Sequence, residues 1–247
     1  MATTFKTLNS ANDVTSTRTL LHEAIPLTGT IASGTYSDAN IKTYSHGMFE
    51  SVYDYPYLSS SANHIFDITT GYASNSALAG VAGGVQNSKK LNIYSQMAQV
   101  LVGYDATGSI QSFDRDGDIA SGGDKINEAI FVNFSRLLTK DEMKKGSFTM
   151  SVMTGGAPSA VSHVMTIADH GAADAYKVNS PAGEYGILYS GSAATTGEEV
   201  GLIYYQAGVV VLSGSVFDRD QMSQLGNGDF VDTGYSAMAT GSNIEMM

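Results

Sequence analysis

The 247-residue chain contains no cysteine, no tryptophan and only 4 prolines. Without cysteine it has no disulfide scaffold, no thiolate metal site and no thiol nucleophile. Charge is scarce as well: 15% of residues are Asp, Glu, Lys or Arg, against roughly a quarter in ordinary soluble domains. The 13 basic residues face 24 acidic ones, for a net charge of −11. They gather no more densely than Lys89-Lys90 and Lys144-Lys145. That balance excludes a phosphate-driven nucleic-acid binder. No stretch approaches the ~18–20 apolar residues of a membrane span, and Met1–Ser10 lacks the apolar centre of a secretory signal. No membrane partner is expected.

What the sequence does have is 27 Gly, 14 Tyr and 50 Ser plus Thr. Such a composition suits strands joined by tight turns better than a helical bundle. The fold expected is mainly β, with a few helices in the N-terminal part and a β-sandwich-like C-terminal region. Residues 13–25 predict a short helix capped by Asp13 and stopped by Pro26. Residues 88–102 predict a stronger one: Ser88 caps it, Leu91, Tyr94, Met97, Ala98 and Leu101 form its apolar face, and Gly103 ends it. Between them, His64–Ile68 predicts a strand, and the small residues of 73–90 a flexible loop. Beyond the acidic loop the pattern is strand after strand: Ile130–Phe134, the alternation of Phe148, Met150 and Val152, then His163–Ile167, Ala175–Val178 and Gly186–Tyr189. Residues 200–217 predict two strands turning near Gln206-Ala207-Gly208. The expected organisation is a mixed α/β region over 1–104, an acidic connection over 105–124 and a β-sandwich-like region over 125–217. A polar, Gly-rich tail follows over 218–247. Its end on Met246-Met247, without a closing strand, leads us to expect a further C-terminal part.

Two segments offer chemistry. Asp114, Asp116 and Asp118 alternate as in the first half of a calcium loop, where closely spaced carboxylates wrap a hard cation. The second half departs from that pattern, with Ile119 where the sharp turn needs Gly and Lys125 where a bidentate Glu belongs. Calcium binding and a plain solvated turn both stand as readings. The aromatic band of Tyr44, Phe49, Tyr53, Tyr55 and Tyr57 reads either as a contact surface for protein or carbohydrate or as packing at a sheet edge. Pro56 keeps that run at an edge or in an extended loop. Among the five histidines only His163 and His170, seven residues apart, share a close spacing of the metal-ligand kind, and the nucleophile elbow, the P-loop and the dinucleotide fingerprint are all missing. We therefore expect no enzyme, no catalytic residue and no cofactor other than calcium at the acidic loop.

The segments TRTLLHEAI (17–25), VYDYPYLSSSANHIFDI (52–68), NIYSQMAQVLVGY (92–104), FVNFSRLLTKDEMKKGS (131–147) and VNSPAGEYGILY (178–189) resemble virion structural proteins of T-even-like contractile-tailed phages and their marine and cyanobacterial relatives. The resemblance implies a non-enzymatic virion component, tail-side at the baseplate or where fibres attach. Its partners would be other virion proteins and further copies of itself in a homo-oligomer. It carries over no catalytic residue. A module binding host-surface glycan, or a capsid shell or decoration protein, are the alternative expectations.

Overall fold

A computed structural model describes residues 38–80, 85–119, 125–139, 141–154, 163–191 and 197–214. The helix expected over 13–25 and the tail over 218–247 lie outside them. Among the described residues the fold is mainly β, built around one ten-stranded sheet in which every pairing is antiparallel. Its strands are β1 (Ile41–Thr43), β2 (Glu50–Tyr53), β3 (His64–Tyr72), β6 (Glu128–Phe134), β7 (Thr149–Thr154), β8 (His163–Ala168), β9 (Lys177–Ser180), β10 (Gly183–Ser190), β11 (Glu199–Tyr204) and β12 (Val209–Ser213). They lie in the order β1-β2-β3-β6-β12-β11-β10-β8-β7, with β9 also on β10. Strands from both sides of residues 105–124 thus share one sheet. A separate two-stranded ribbon joins β4 (Phe113–Asp114) to β5 (Lys125–Ile126).

The central strands are apolar on both faces, and that fixes the layering. In β6, Ile130 and Val132 point to one side and Ala129 and Phe131 to the other; in β12, Val210 and Leu212 alternate likewise with Val209 and Val211. A run buried on both faces needs two covers. The first face is covered partly by the sheet's own curl and partly by Leu78, Met143 and Ala172 from outside its strands. Phe148, the residue before β7, meets Phe134 of β6 edge-on at 5.9 Å, although four strands separate β6 from β7 in the sheet. The concave interior so formed also takes Ile68, Tyr72, Ile167, Leu188, Ile203 and Tyr205. A bulge between Leu188 and Tyr189 leaves Val200 as the extra residue of β11 and turns it into this interior. Gly201 follows because a Cβ there would lie 2.2 Å from the Val211 carbonyl oxygen.

The convex face is covered by α1 (Val85–Leu101), which buries Ile93, Tyr94, Ala98 and Leu101, and by the β4–β5 ribbon with Phe113 and Ile126. The helix crosses β3 at Gly71, where a Cβ would sit 2.8 Å from the Tyr94 backbone nitrogen. Its C-terminus closes as expected, with the left-handed Gly103 donating to the Ala98 carbonyl. Its start differs: Ser88 lies inside the helix, which begins at Val85. The expected strand 175–178 is also redrawn. Ala172–Ala175 form a helical turn, α3, and the strand runs from Lys177 to Ser180. A further single turn, α2 (Arg136–Thr139), follows β6. No helix among the described residues is long and apolar enough to cross a membrane.

Candidate functional site

The acidic loop is positioned by the residue before it. Phe113 is fully buried and meets Tyr94 edge-on at 5.5 Å and Phe131 at 5.6 Å. Anchoring that ring carries Asp114 inward with it, to 0% exposure. Asp116 is half-buried and Asp118 exposed. One ligand oxygen from each of the three lies within 4.8 Å of the others. The loop turns at the left-handed Gly117, whose amide donates to the Asp114 carbonyl. From the sheet, the Tyr185 hydroxyl donates to the Gly117 carbonyl at 2.9 Å, and Asn179 Nδ2 donates to the same oxygen at 3.3 Å. Tyr185 is held in turn by stacking on Tyr204 at 5.1 Å. The loop backbone is therefore fixed from outside itself.

Lys125, the departure from the calcium-loop pattern, is the β partner of Asp114. Its ammonium donates to Asp114 Oδ2 and, at 3.3 Å, to the Ile119 carbonyl. Asp114 Oδ1 is buried and accepts from no donor, and the Asp114 carboxyl shares a hydrogen bond with that of Asp116. Burial pushes the Asp114 carboxyl above the ordinary aspartate range, against the pull of Lys125. Asp116 is held below that range, chiefly by the backbone N–H of Asp118 donating to it. Asp114 is thus no part of a solvated turn. Beside the loop lies an open hollow of about 520 Å³ bounded by Gln99, Tyr104, Gln111, Ile119, Asn179 and Pro181.

The aromatic band divides in two. Phe49 packs with Tyr44 at 5.0 Å and with His46 at 5.0 Å, while Tyr44 and His46 stack at 5.1 Å. Tyr53 packs instead with Tyr57 at 6.4 Å and His64 at 5.5 Å. The separation is a strand's doing, since β2 advances about 3.3 Å per residue from Phe49 to Tyr53. Tyr55 and Leu58 point outward, at 46% and 86% exposure. The loop bearing them is closed by Asp54, which accepts from the Asn63 backbone at 2.6 Å and from Asn63 Nδ2 at 2.8 Å. Those bonds hold the Asp54 carboxyl below its ordinary range.

Sequence reasoning missed several polar groups that folding brings together. Ser51 Oγ donates to Asp67 Oδ1 at 2.5 Å, and His64 Nε2 lies 2.8 Å from the same oxygen. His64 thus stands beside the Ser–Asp pair and not between its members, so the nucleophile–base–carboxylate relay of acyl transfer is not formed. Asp169, buried, accepts from Tyr205 Oη at 2.9 Å and from the backbone of Gly146 at 2.7 Å and Phe148 at 2.9 Å. Lys90, also buried, donates to Thr70 Oγ1. Apart from His64 and Asp67, which lie three residues apart in β3, these contacts join residues distant in the sequence and leave no short-range signature. No protein-family model matches the chain, and neither does any curated protein or solved structure.

Proposed function

We propose that this protein is a non-enzymatic structural component of a bacteriophage virion, on the tail side at the baseplate or fibre attachment, that acts through contacts between subunits. The virion assignment rests on the sequence resemblance; the mode of action is supported by one feature of the sheet. Strand β7 (TMSVMT) ends the strand order, carries no charge and no proline over six residues, and has no further strand on its outer side among the described residues. Edges of monomeric proteins are ordinarily shortened, charged or covered, since an open row of N–H and C=O groups recruits another strand. The opposite edge follows that rule: β1 has three residues, one of them Lys42. Tyr55, Tyr57 and Leu58 add an exposed apolar loop of the kind found at interface centres.

The test has two arms. Purified particles are expected to contain the protein, and the isolated chain is expected to sediment as an oligomer. Ser151→Lys, an exposed position on β7, should leave the circular dichroism unchanged and shift sedimentation toward the monomer. Recovery from infected cells but never from particles would defeat the virion reading, and an unshifted oligomer would defeat the role of β7.

The hollow beside the acidic loop favours a second reading, recognition of a host-surface glycan. Carboxamides of Gln99, Gln111 and Asn179 beside the half-exposed Tyr104 ring are the polar and stacking groups a sugar needs. Saturation-transfer NMR against host polysaccharide, lost on Tyr104→Ala, would support that reading over the first.

A further inference from the structure

One lysine and one aspartate of the β4–β5 ribbon are placed to react with each other. Asp114 and Lys125 are cross-strand partners, and the Lys125 ammonium donates to Asp114 Oδ2. A nitrogen held on that oxygen lies one bond away from contact with the carboxyl carbon, Cγ, so the encounter of amine and acid is already made by the fold. The Asp114 side chain has 0% exposure. Phe113 before it, Ile126 beside Lys125 and Tyr185 from the sheet are each exposed by 1% or less. A second acid completes the group, because the half-buried Asp116 shares a hydrogen bond with the Asp114 carboxyl. By contrast, Lys145 lies 2.7 Å from Glu184, whose side chain is 25% exposed, and water competes for that pair.

We propose that Lys125 and Asp114 join in an intramolecular isopeptide bond, made by the folded chain itself with Asp116 as the proton relay. A proton passes from the Lys125 ammonium to the carboxyl pair and frees the lone pair of Nζ. The Nζ–Cγ bond then forms and one Cγ–O bond breaks. Two of the three ammonium protons end on the departing oxygen, which leaves as water, and the third stays on the amide nitrogen. Charge balances, since a carboxylate and an ammonium become one neutral amide, and nothing is oxidised or reduced. The setting favours that product. A buried ion pair bears the desolvation of two charges, whereas an amide has none to desolvate. The walls that hold Asp114 at 0% exposure also keep off the water that would hydrolyse the bond. The link closes the acidic loop covalently and restricts the unfolded chain. It is independent of the subunit-contact reading.

Intact mass of the full-length protein reads the bond. It should fall one water short of the 26.0 kDa of the sequence, and unfolding in denaturant should not restore that water. Fragmentation of digested peptides should place the loss between Asp114 and Lys125. Lys125→Arg keeps the positive charge and offers no amine to acylate, so the full mass should return. Asp116→Ala keeps both joined residues, and with its fold checked by circular dichroism it should link about 10²–10⁴-fold more slowly, the contribution of a positioned proton-transfer group. A wild-type mass with no water missing would overturn the proposal. So would a missing water that survives Lys125→Arg, because Asp116-Gly117 can lose one by closing a cyclic imide without any lysine. Linkage of the folded Asp116→Ala protein at the wild-type rate would overturn the relay.

Discussion

Tyr205 reaches Asp169 only because residue 186 has no side chain. A Cβ on Gly186 would lie 2.2 Å from the Tyr205 hydroxyl oxygen and 3.1 Å from its Cζ. Tyr205→Phe removes the donor at 2.9 Å from a carboxylate that is 1% exposed. The Gly146 and Phe148 amides remain, so the loss is that of one hydrogen bond to a charged group, about 1.5–3 kcal/mol. Gly186→Ala forces the ring aside, loses the same bond and adds an overpacking cost of about 1–3 kcal/mol. The double variant has no hydroxyl to collide with and has only one bond to lose. Its destabilisation should therefore fall short of the sum of the single effects by at least about 2.5 kcal/mol, the hydrogen bond counted twice and the collision relieved. Urea unfolding of all four proteins, with m-values checked for constancy, measures that coupling. Additivity within about 0.5 kcal/mol would refute the claim that Gly186 exists to let Tyr205 through.

Gly71→Ala pushes a methyl into the backbone of α1 at Tyr94 and Lys90. The expected cost is about 1–3 kcal/mol, read as a fall in melting temperature of about 2–4 °C per kcal/mol for a chain of this size. Lys90 is buried, and that burial lowers its pKa below the ordinary 10.5 against the opposing charge of Glu50. The unfolded chain therefore holds the Lys90 proton to higher pH than the folded one, so stability rises with pH between the two values. The stability of the wild type relative to Lys90→Met should accordingly increase as pH approaches 10.5 in denaturant titrations. A flat difference would contradict that desolvation.

The parts of the fold that were legible are those whose burial follows from periodicity. Ile130–Val132 and Val209–Leu212 are continuous apolar runs, and both lie in central strands. The apolar face of α1 was legible for the same reason, through Tyr94, Ala98 and Leu101. Its first turn was not, because Val85–Ser88 belongs to a stretch of small and polar residues that reads as loop. The helix also owes part of its seat to Gly71, a residue in another element. The loop over Ala172–Ala175 shows the opposite limit, a helical turn that starts after the left-handed Gly171 and ends too soon to establish a period. At the sites, the spacing of Asp114, Asp116 and Asp118 was legible, whereas the burial of Asp114 was not. That burial depends on Phe113 entering a cluster contributed by β6 and α1. The division of the aromatic band was not legible either, because residues spaced along an extended strand are carried apart in space.

The layering restricts where a partner can meet this protein. Among the described residues the concave face is filled by the sheet's own curl with Leu78, Met143 and Ala172, and α1 with the β4–β5 ribbon lies over the convex one. Among the described residues, the rim leaves three places open: the β7 edge, the loop bearing Tyr55 and Leu58, and the hollow by Tyr104. Of these only β7 offers backbone hydrogen bonds, which are indifferent to the partner's sequence and repeat identically between identical subunits. An antiparallel sheet extended across such an edge adds a strand pair of the same kind it already contains, so the contact costs little reorganisation on either side. The tyrosine loop has the complementary property: its exposed rings and Leu58 supply side-chain discrimination and no repeating register. Assembly through the first and selection through the second is a division of labour the rim permits, and Ser151→Lys and Tyr55→Ala separate them. Under the proposed virion role, the first substitution should reduce oligomer size, and the second should leave it unchanged while weakening recovery with purified particles.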